Sequence, residues 1–278
     1  MKRIACFVLL AALSGSAFAD GCAFEAKRDL ALPAGGVKTL KLQTRAGDLR
    51  VTGVAGLANV ELHGRACAAS QAQLDALQLQ HSRSGERLDV FTTTPEESTF
   101  KLFSDNYAYI DLEVRLPQEL ALDLDDSSGD IEIRDAGAIE MRDSSGDIKI
   151  YDPRGDVSIR DTSGDIRVEQ ARGNVTVVAD SSGDIVIDGA SRDVVVEDDS
   201  SGDIEIARVS GNARVGHDSS GDIRFRDIGG NAEVGSDSSG SIHARGIRGD
   251  FSVRTKSGGN RNIDYADVGG RVSLPERD

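Results

Sequence analysis

Along the second half of the chain, apolar and polar residues alternate in runs of three. One set reads Ile131-Glu132-Ile133, Ile148-Lys149-Ile150, Ile185-Val186-Ile187 and Ile204-Glu205-Ile206. A second set reads Val157-Ser158-Ile159, Val175-Thr176-Val177, Val194-Val195-Val196 and Ala232-Glu233-Val234. Period-two alternation of β-branched residues predicts short strands with one face inward. A helix would need apolar residues three and four apart, and these runs do not supply them.

The runs are punctuated by a recurring turn, Asp-Ser-Ser-Gly-Asp-Ile. Its glycines are Gly129, Gly146, Gly164, Gly183, Gly202, Gly221 and Gly240, with a degenerate copy at Gly258. Successive spacings are 17, 18, 19, 19, 19, 19 and 18. A fixed short period is the signature of a solenoid. The predicted fold is therefore all-β: a parallel β-solenoid (β-helix) over 121–278, with about eight coils of ~19 residues and two short strands in each. Four inward apolar side chains per coil contribute ~6–12 kcal/mol gross at ~1.5–3 kcal/mol each. Ordering the coil costs more than that, so a coil requires its neighbours on both sides.

Residues 20–120 are less regular. Ala46-Gly47-Asp48-Leu49-Arg50-Val51 is a diverged copy of the turn and strand, and Ser84 to Val90 is another strand entry. Asp111 to Leu116 alternates again and ends at Pro117. The pattern at 70–80 fits either a short helix or a strand pair. This segment is expected to form a β-rich cap over one end of the stack, since terminal repeats are usually atypical.

Residues 1–19 read as a signal peptide. Lys2 and Arg3 precede the short apolar run Ile4–Leu13, and Ala17-Phe18-Ala19 is a small-x-small cleavage site. Ten apolar residues are too few to span a bilayer, which needs ~20. Cleavage would take the charge from −15 to −17. The expected location is periplasmic or secreted, with no membrane insertion after cleavage. Ala19-Asp20-Gly21 ahead of Cys22 departs from a lipidation motif. Cys6 would leave with the leader, so Cys22 and Cys67 make one disulfide expected in an oxidising compartment.

The Ser-Gly-Asp-Ile repeats at 126–244, the lead-in Asp111 to Pro117 and the early Gly47-Asp48-Leu49-Arg50-Val51 together carry a family resemblance. On these residues the chain resembles the bacterial putative adhesin domain family, long labelled a domain of unknown function. It is also similar to the auto-transporter adhesin head domain. The resemblance covers essentially all of the chain after the leader. It implies an envelope-associated β-solenoid and no agreed catalytic residues.

Composition narrows the partners. Acidic residues number 47 against 32 basic, which disfavours nucleic acid, because phosphates need Lys and Arg clusters. An envelope protein or a glycan is the expected partner class.

Two aspartate columns flank the turns. Asp126, Asp143, Asp161, Asp180, Asp199, Asp218 and Asp237 form one; Asp130, Asp147, Asp165, Asp184, Asp203 and Asp222 form the other. Stacked at ~4.8 Å, neighbouring carboxylates repel by ~1 kcal/mol in water, so each coil must offset that. Turn capping is the preferred role, with each Asp accepting backbone N–H bonds. Calcium is the alternative cofactor, since carboxylates and turn carbonyls are hard oxygen ligands. No other cofactor is indicated. A carbohydrate-active β-helix enzyme acting on acidic polysaccharide is the rival class. The repetition argues against it, because every coil offers the same acid and none is distinguished as acid or base.

His63, His81, His217 and His243 show no metal spacing, and no Gly-x-Ser-x-Gly elbow occurs. Phe91, Phe100, Phe103, Tyr107 and Tyr109 concentrate five aromatics in one irregular stretch. They fit either the filling of the junction between cap and solenoid or a patch for a partner.

Overall fold

The computed structural model describes residues 21–94 and 107–276. The leader segment 1–19, Phe100 and Phe103 lie outside the described residues. The first half folds into β1 (Phe24–Pro33), β2 (Thr39–Gln43), β3 (Leu49–Val54), β4 (Asn59–Ala68), α1 (Gln71–Ala76), β5 (Gln78–Ser84), β6 (Arg87–Thr93) and β7 (Ala108–Pro117). From β8 (Ala121–Asp125) and β9 (Ile131–Arg134) onward, short strands alternate between two sheets to Val272–Ser273. Among the described residues each sheet has 12 strands, the main apolar core lies between the two, and a smaller cluster of Ala66, Ala68, Leu74, Leu77 and Ile110 packs around α1. The fold is the expected parallel β-solenoid, with eight two-strand coils between Ala121 and Val268.

Register explains why the sequence repeats. Ile148 pairs Ile166, which pairs Ile185, then Ile204, Ile223 and Ile242. In the other sheet Val157 pairs Val175, then Val194, Ala213 and Ala232. All of these side chains are buried. Because side chains alternate across a strand, slipping by one residue would turn every Ile and Val outward, and that fixes the register.

Each coil buries more than its Ile-x-Ile and Val-x-Val pairs. Asp135, Asp152, Gln170, Arg208, Asp227 and Asp267 hold φ between 52° and 58°, and Gly189 and Gly246 occupy the equivalent places. This left-handed residue breaks the alternation, so that Ala136, Ala171, Ala190, Val209, Ile228 and Ile247 point inward at the corner. The periodicity missed this corner, whose trace is the two-residue polar gap in Ile-x-Ile-x-x-Ala.

The opposite corner depends on glycine. Gly183 has φ +126°, and a Cβ there would overlap the carbonyl oxygen of Gly164 in the adjacent coil. The same overlap recurs from Gly129 to Gly240. Gly258 does not join this column: nothing lies near the position of its Cβ, and the final turn is longer, pairing Ile242 with Ile263.

The first half is interleaved with the stack. β2 lies between β6 and β8, and β3 lies between β7 and β9, all parallel. The cap consists of antiparallel additions: β4 on β7, β1 on β4, and β5 on β6. At 70–80 the chain makes a helix followed by a strand. Ser70 caps the helix by accepting from the Gln73 N–H at 3.3 Å. Arg28 holds the C-terminal end, donating to the Leu77 carbonyl at 2.6 Å and the Leu74 carbonyl at 2.9 Å. Cys22 and Cys67 form the disulfide, with Cα atoms 5.5 Å apart.

Two outcomes follow. Gly183→Ala should cost at least ~2 kcal/mol, since backbone must move in a packed stack, read as a lower denaturant midpoint. Replacing Cys22 and Cys67 by Ser should cost ~2–4 kcal/mol, seen as a lower Tm that matches the reduced wild-type protein.

Candidate functional site

The turns gather the recurring polar residues into three ladders that run along the stack. The outer aspartate column is a chain of backbone caps. Asp147 N–H donates to Asp130 Oδ1 at 3.1 Å, Asp165 N–H to Asp147 Oδ1 at 3.2 Å, and Asp184 N–H to Asp165 Oδ1 at 2.9 Å. Asp203, Asp222 and Ser241 continue the pattern, each 2.9 Å from the carboxylate before it. The column extends backward through Asp48, which accepts from Asp130 N–H, to Asp111, which accepts from Asp48 N–H.

The free oxygens of this column meet cations locally. Lys149 reaches Asp147 at 3.2 Å, and Arg224 bridges Asp203 at 2.7 Å and Asp222 at 2.6 Å. The Asp165 N–H and then Lys149 hold the Asp147 carboxyl below its usual range. Arg224 and then the Asp222 N–H do the same for Asp203. Serines add a parallel row: Ser145 Oγ donates to Ser127 O at 3.2 Å, Ser163 Oγ to Ser144 O at 3.1 Å, and Ser201 Oγ to Ser181 O at 3.0 Å.

A third ladder leaves only a faint trace in the sequence. Asp156, Asn174, Asp193, Asn212, Asn231 and Asp250 stack at the other turn, each side-chain oxygen accepting the next backbone N–H at 2.7–3.3 Å. Asn174 and Asn212 also donate from Nδ2 to the aspartate before them. An amide between two carboxylates supplies a donor and removes a charge. The sequence signal was the Gly-Asn or Gly-Asp preceding Val-x-Val.

The inner column is not a solvated set of caps. Asp126, Asp143, Asp161, Asp180, Asp199, Asp218 and Asp237 point into the interior, and the most exposed, Asp126, retains 7% of its surface. One oxygen of most accepts turn N–H bonds: Asp143 from Ser144, Asp161 from Thr162 and Asp180 from Ser181, all at 2.7 Å, and Asp218 from Ser220 at 3.1 Å. The other oxygen of each has no hydrogen-bond partner among the described residues; Asp126 and Asp199 make no hydrogen bond of good geometry, although Thr44 and the Ser127 N–H lie beside the first and the Ser200 and Ser201 N–H groups beside the second. Burial, reinforced by neighbouring carboxylates, pushes Asp143, Asp199 and Asp218 up to about 7. Burial first, then Asp161, lifts Asp180 to about 6; burial lifts Asp126 to about 6 and raises Asp161 as well. At ~4.8 Å and an effective dielectric near 20, two ionised neighbours repel by ~3–4 kcal/mol.

The column has defined ends. Lys256 takes the next register position after Asp237. Its buried ammonium lies 2.6 Å from Asp237 Oδ2 and 2.8 Å from Gly240 O. At the other end Thr44 and Thr92 occupy the aspartate position in the coils of β2 and β6, and both are buried.

Asp126 to Asp222 thus divide by environment: the inner set is buried and the outer set exposed or half-exposed. Among the described residues, no group of three or more His, Cys, Asp or Glu is arranged to hold a metal ion. The aromatics divide as well. Phe91 sits on β6 in one sheet, while Tyr109 lies on β7 in the other and Tyr107 immediately precedes that strand. Tyr107 Oη accepts from Ala23 N–H at 2.9 Å, and Tyr109 Oη lies 3.9 Å from Cys22 Sγ, so both tyrosines fasten the N-terminal strand. His217 lies between Ser236 Oγ at 2.7 Å and Ser219 Oγ at 3.3 Å.

With the coil stack and its ladders in view, a family model described as Toastrack DUF4097 matches residues 65–265. The chain belongs to that family. Among solved structures, a putative adhesin from Parabacteroides merdae is similar at 11% identity and TM-score 0.48, covering 91% of this chain and 97% of that one. A putative adhesin from Bacteroides fragilis is similar at 13% identity and TM-score 0.44, covering 90% and 97%. A putative lipid binding protein from Parabacteroides distasonis is similar at 14% identity and TM-score 0.37, covering 91% and 97%. Among curated proteins none matches the chain. The Toastrack match agrees with the resemblance carried by the Ser-Gly-Asp-Ile turns.

Two measurements check the ladder assignments. Asp184→Ala should cost ~1 kcal/mol by orphaning the Asp203 N–H, and Asp184→Asn should recover it, because an amide oxygen accepts the same bond. Thermal unfolding in millimolar calcium and in chelator should give the same Tm; an upward shift with calcium would make these carboxylates metal ligands.

Proposed function

We propose that this Toastrack protein is a non-enzymatic binding or scaffold module of the bacterial envelope. The observation that supports this reading is where the repeated polar chemistry goes. The aspartates and serines of the turn are spent on coil-to-coil hydrogen bonds or buried in the interior. Every rung of the outer column plays the same capping role for the next coil, and the raised carboxyls of the inner column are buried in the interior, away from any substrate.

What remains for a partner is surface. Twelve strands at ~4.8 Å give each sheet a face roughly 50 Å long. Its charges are laced in pairs: Arg134 with Glu132 at 2.8 Å and over the Tyr151 ring at 4.0 Å, Arg226 with Glu205, and Arg254 with Glu233 at 2.8 Å. Such a face presents fixed donors and acceptors at strand spacing, which suits a repetitive polymer such as a glycan or an extended protein surface. The names of the similar adhesins point the same way. Export by the 1–19 leader would put the protein in the compartment where such partners occur, and there the Cys22–Cys67 bond persists.

The test is incubation of the chain with envelope glycans and with acidic polysaccharides. Saturable, salt-sensitive binding without change in polymer length is the expected result. Depolymerisation would overturn the non-enzymatic reading. Absence of binding to every glycan would move the partner to the protein class, checked by cross-linking on intact cells.

A further inference from the structure

The inner column sets a charge-balance problem that the outer ladders do not share. Register pairs Asp180 with Asp199, Asp199 with Asp218, and Asp218 with Asp237. Arg142 and Arg160, aligned with Asp125, place Asp126, Asp143 and Asp161 in the same line. Seven buried carboxylates therefore stand in one row, and nine of their oxygens make no hydrogen bond of good geometry among the described residues. One buried cation, Lys256, serves the row, and it is spent on Asp237.

An unpaired carboxylate in such a place is costly, and a row of them costs more than the sum. A proton solves both difficulties together. It removes a charge, and it turns one orphaned oxygen into a donor for the orphaned oxygen of the next rung. The turn N–H bonds leave that second oxygen free for this purpose.

We propose that the inner aspartate column is a proton-holding ladder, in which neighbouring rungs share protons below neutral pH and hydrogen-bond along the stack, so that the solenoid is tighter in mild acid than at neutral or alkaline pH. This goes beyond the binding role and does not depend on it.

The charged groups acting on the ladder are its own rungs, Lys256 at one end, and Asp165 beside Asp180. His217 adjoins Asp218 in sequence, but both of its ring nitrogens face serine hydroxyls. The direction is set by the environment. A buried Asp whose folded value lies above its unfolded one contributes stability that is complete below the unfolded value and lost as pH rises through the folded one. For this column that window runs from roughly pH 4 to about 7. Asp147 and Asp203 act oppositely, but their carboxyls sit below the usual range, so their loss falls under roughly pH 4. The two windows are separate.

The experiment is carboxyl-carbon NMR of the aspartate-labelled full chain, paired with Tm between pH 5 and pH 8. The expected result is a group of aspartates that take up their charge above pH 6, with Tm at least ~5 °C higher at pH 5 than at pH 8. The triple variant Asp161→Asn, Asp180→Asn, Asp199→Asn should reduce that pH dependence, since an amide donates its N–H at every pH without taking up a proton. All aspartates ionising below pH 5, or a Tm that does not fall toward pH 8, would overturn the proposal. So would recovery of the pH 8 Tm by added sodium, potassium or calcium, because cations rather than protons would then balance the row. The NMR titration uses the wild-type chain, so the test stands even if the triple variant does not fold.

Discussion

Everything in this molecule depends on the hydrogen bond between one coil and the next. A single coil buries too little to fold, so the stack lives on contacts between equivalent positions. Backbone ladders supply the regular part. At the turns, where strand pairing ends, the chain would leave N–H groups unpaired, and the outer aspartates and the Asp/Asn ladder accept them one coil at a time. Glycine is required in the same place because carbonyl oxygen meets backbone with no room for a Cβ. The Ser-Gly-Asp motif is therefore a joint whose parts are each fixed by the neighbouring coil.

That joint also explains the division of charge. Outside, the aspartates can be many because each accepts an N–H from the next coil and lies at the surface. Inside, the same residue at the other end of the motif has at most turn N–H groups on one oxygen, and only Asp237 has a cation. The Asp/Asn ladder meets like-charge repulsion by interposing amides, as at Asn174 and Asn212. The inner column interposes none between Asp126 and Asp237, and only Lys256 closes it.

Much of this was legible in the residues. Ile-x-Ile and Val-x-Val gave strands, the glycine period gave coils, and Cys22 and Cys67 gave the crosslink. The placement of Asp126 and its equivalents inside was not legible, because an Asp before Ser-Ser-Gly looks like any turn-former. Its inward direction comes from the strand running on past the Val-x-Val pair, which is a tertiary fact. The left-handed corner at Gln170 or Arg208 was hidden for a similar reason: neither residue type announces φ above zero. The aromatic stretch is divided by the fold: Phe91 lies on β6 in one sheet, whereas Tyr109 lies on β7 in the other, with Tyr107 just before it.

The interleaving of β2 and β3 bears on how the chain is assembled. Strands laid down early in synthesis lie between strands that arrive decades of residues later. The coil of Thr39–Val54 has no lasting neighbour on either side until β6 and β7 have formed above it and β8 and β9 below. A polypeptide delivered amino end first cannot wind this end turn by turn. The regular coils can propagate one upon another, whereas the entry coil must wait, held near its place by the Cys22–Cys67 tie, until the chain returns and passes over it.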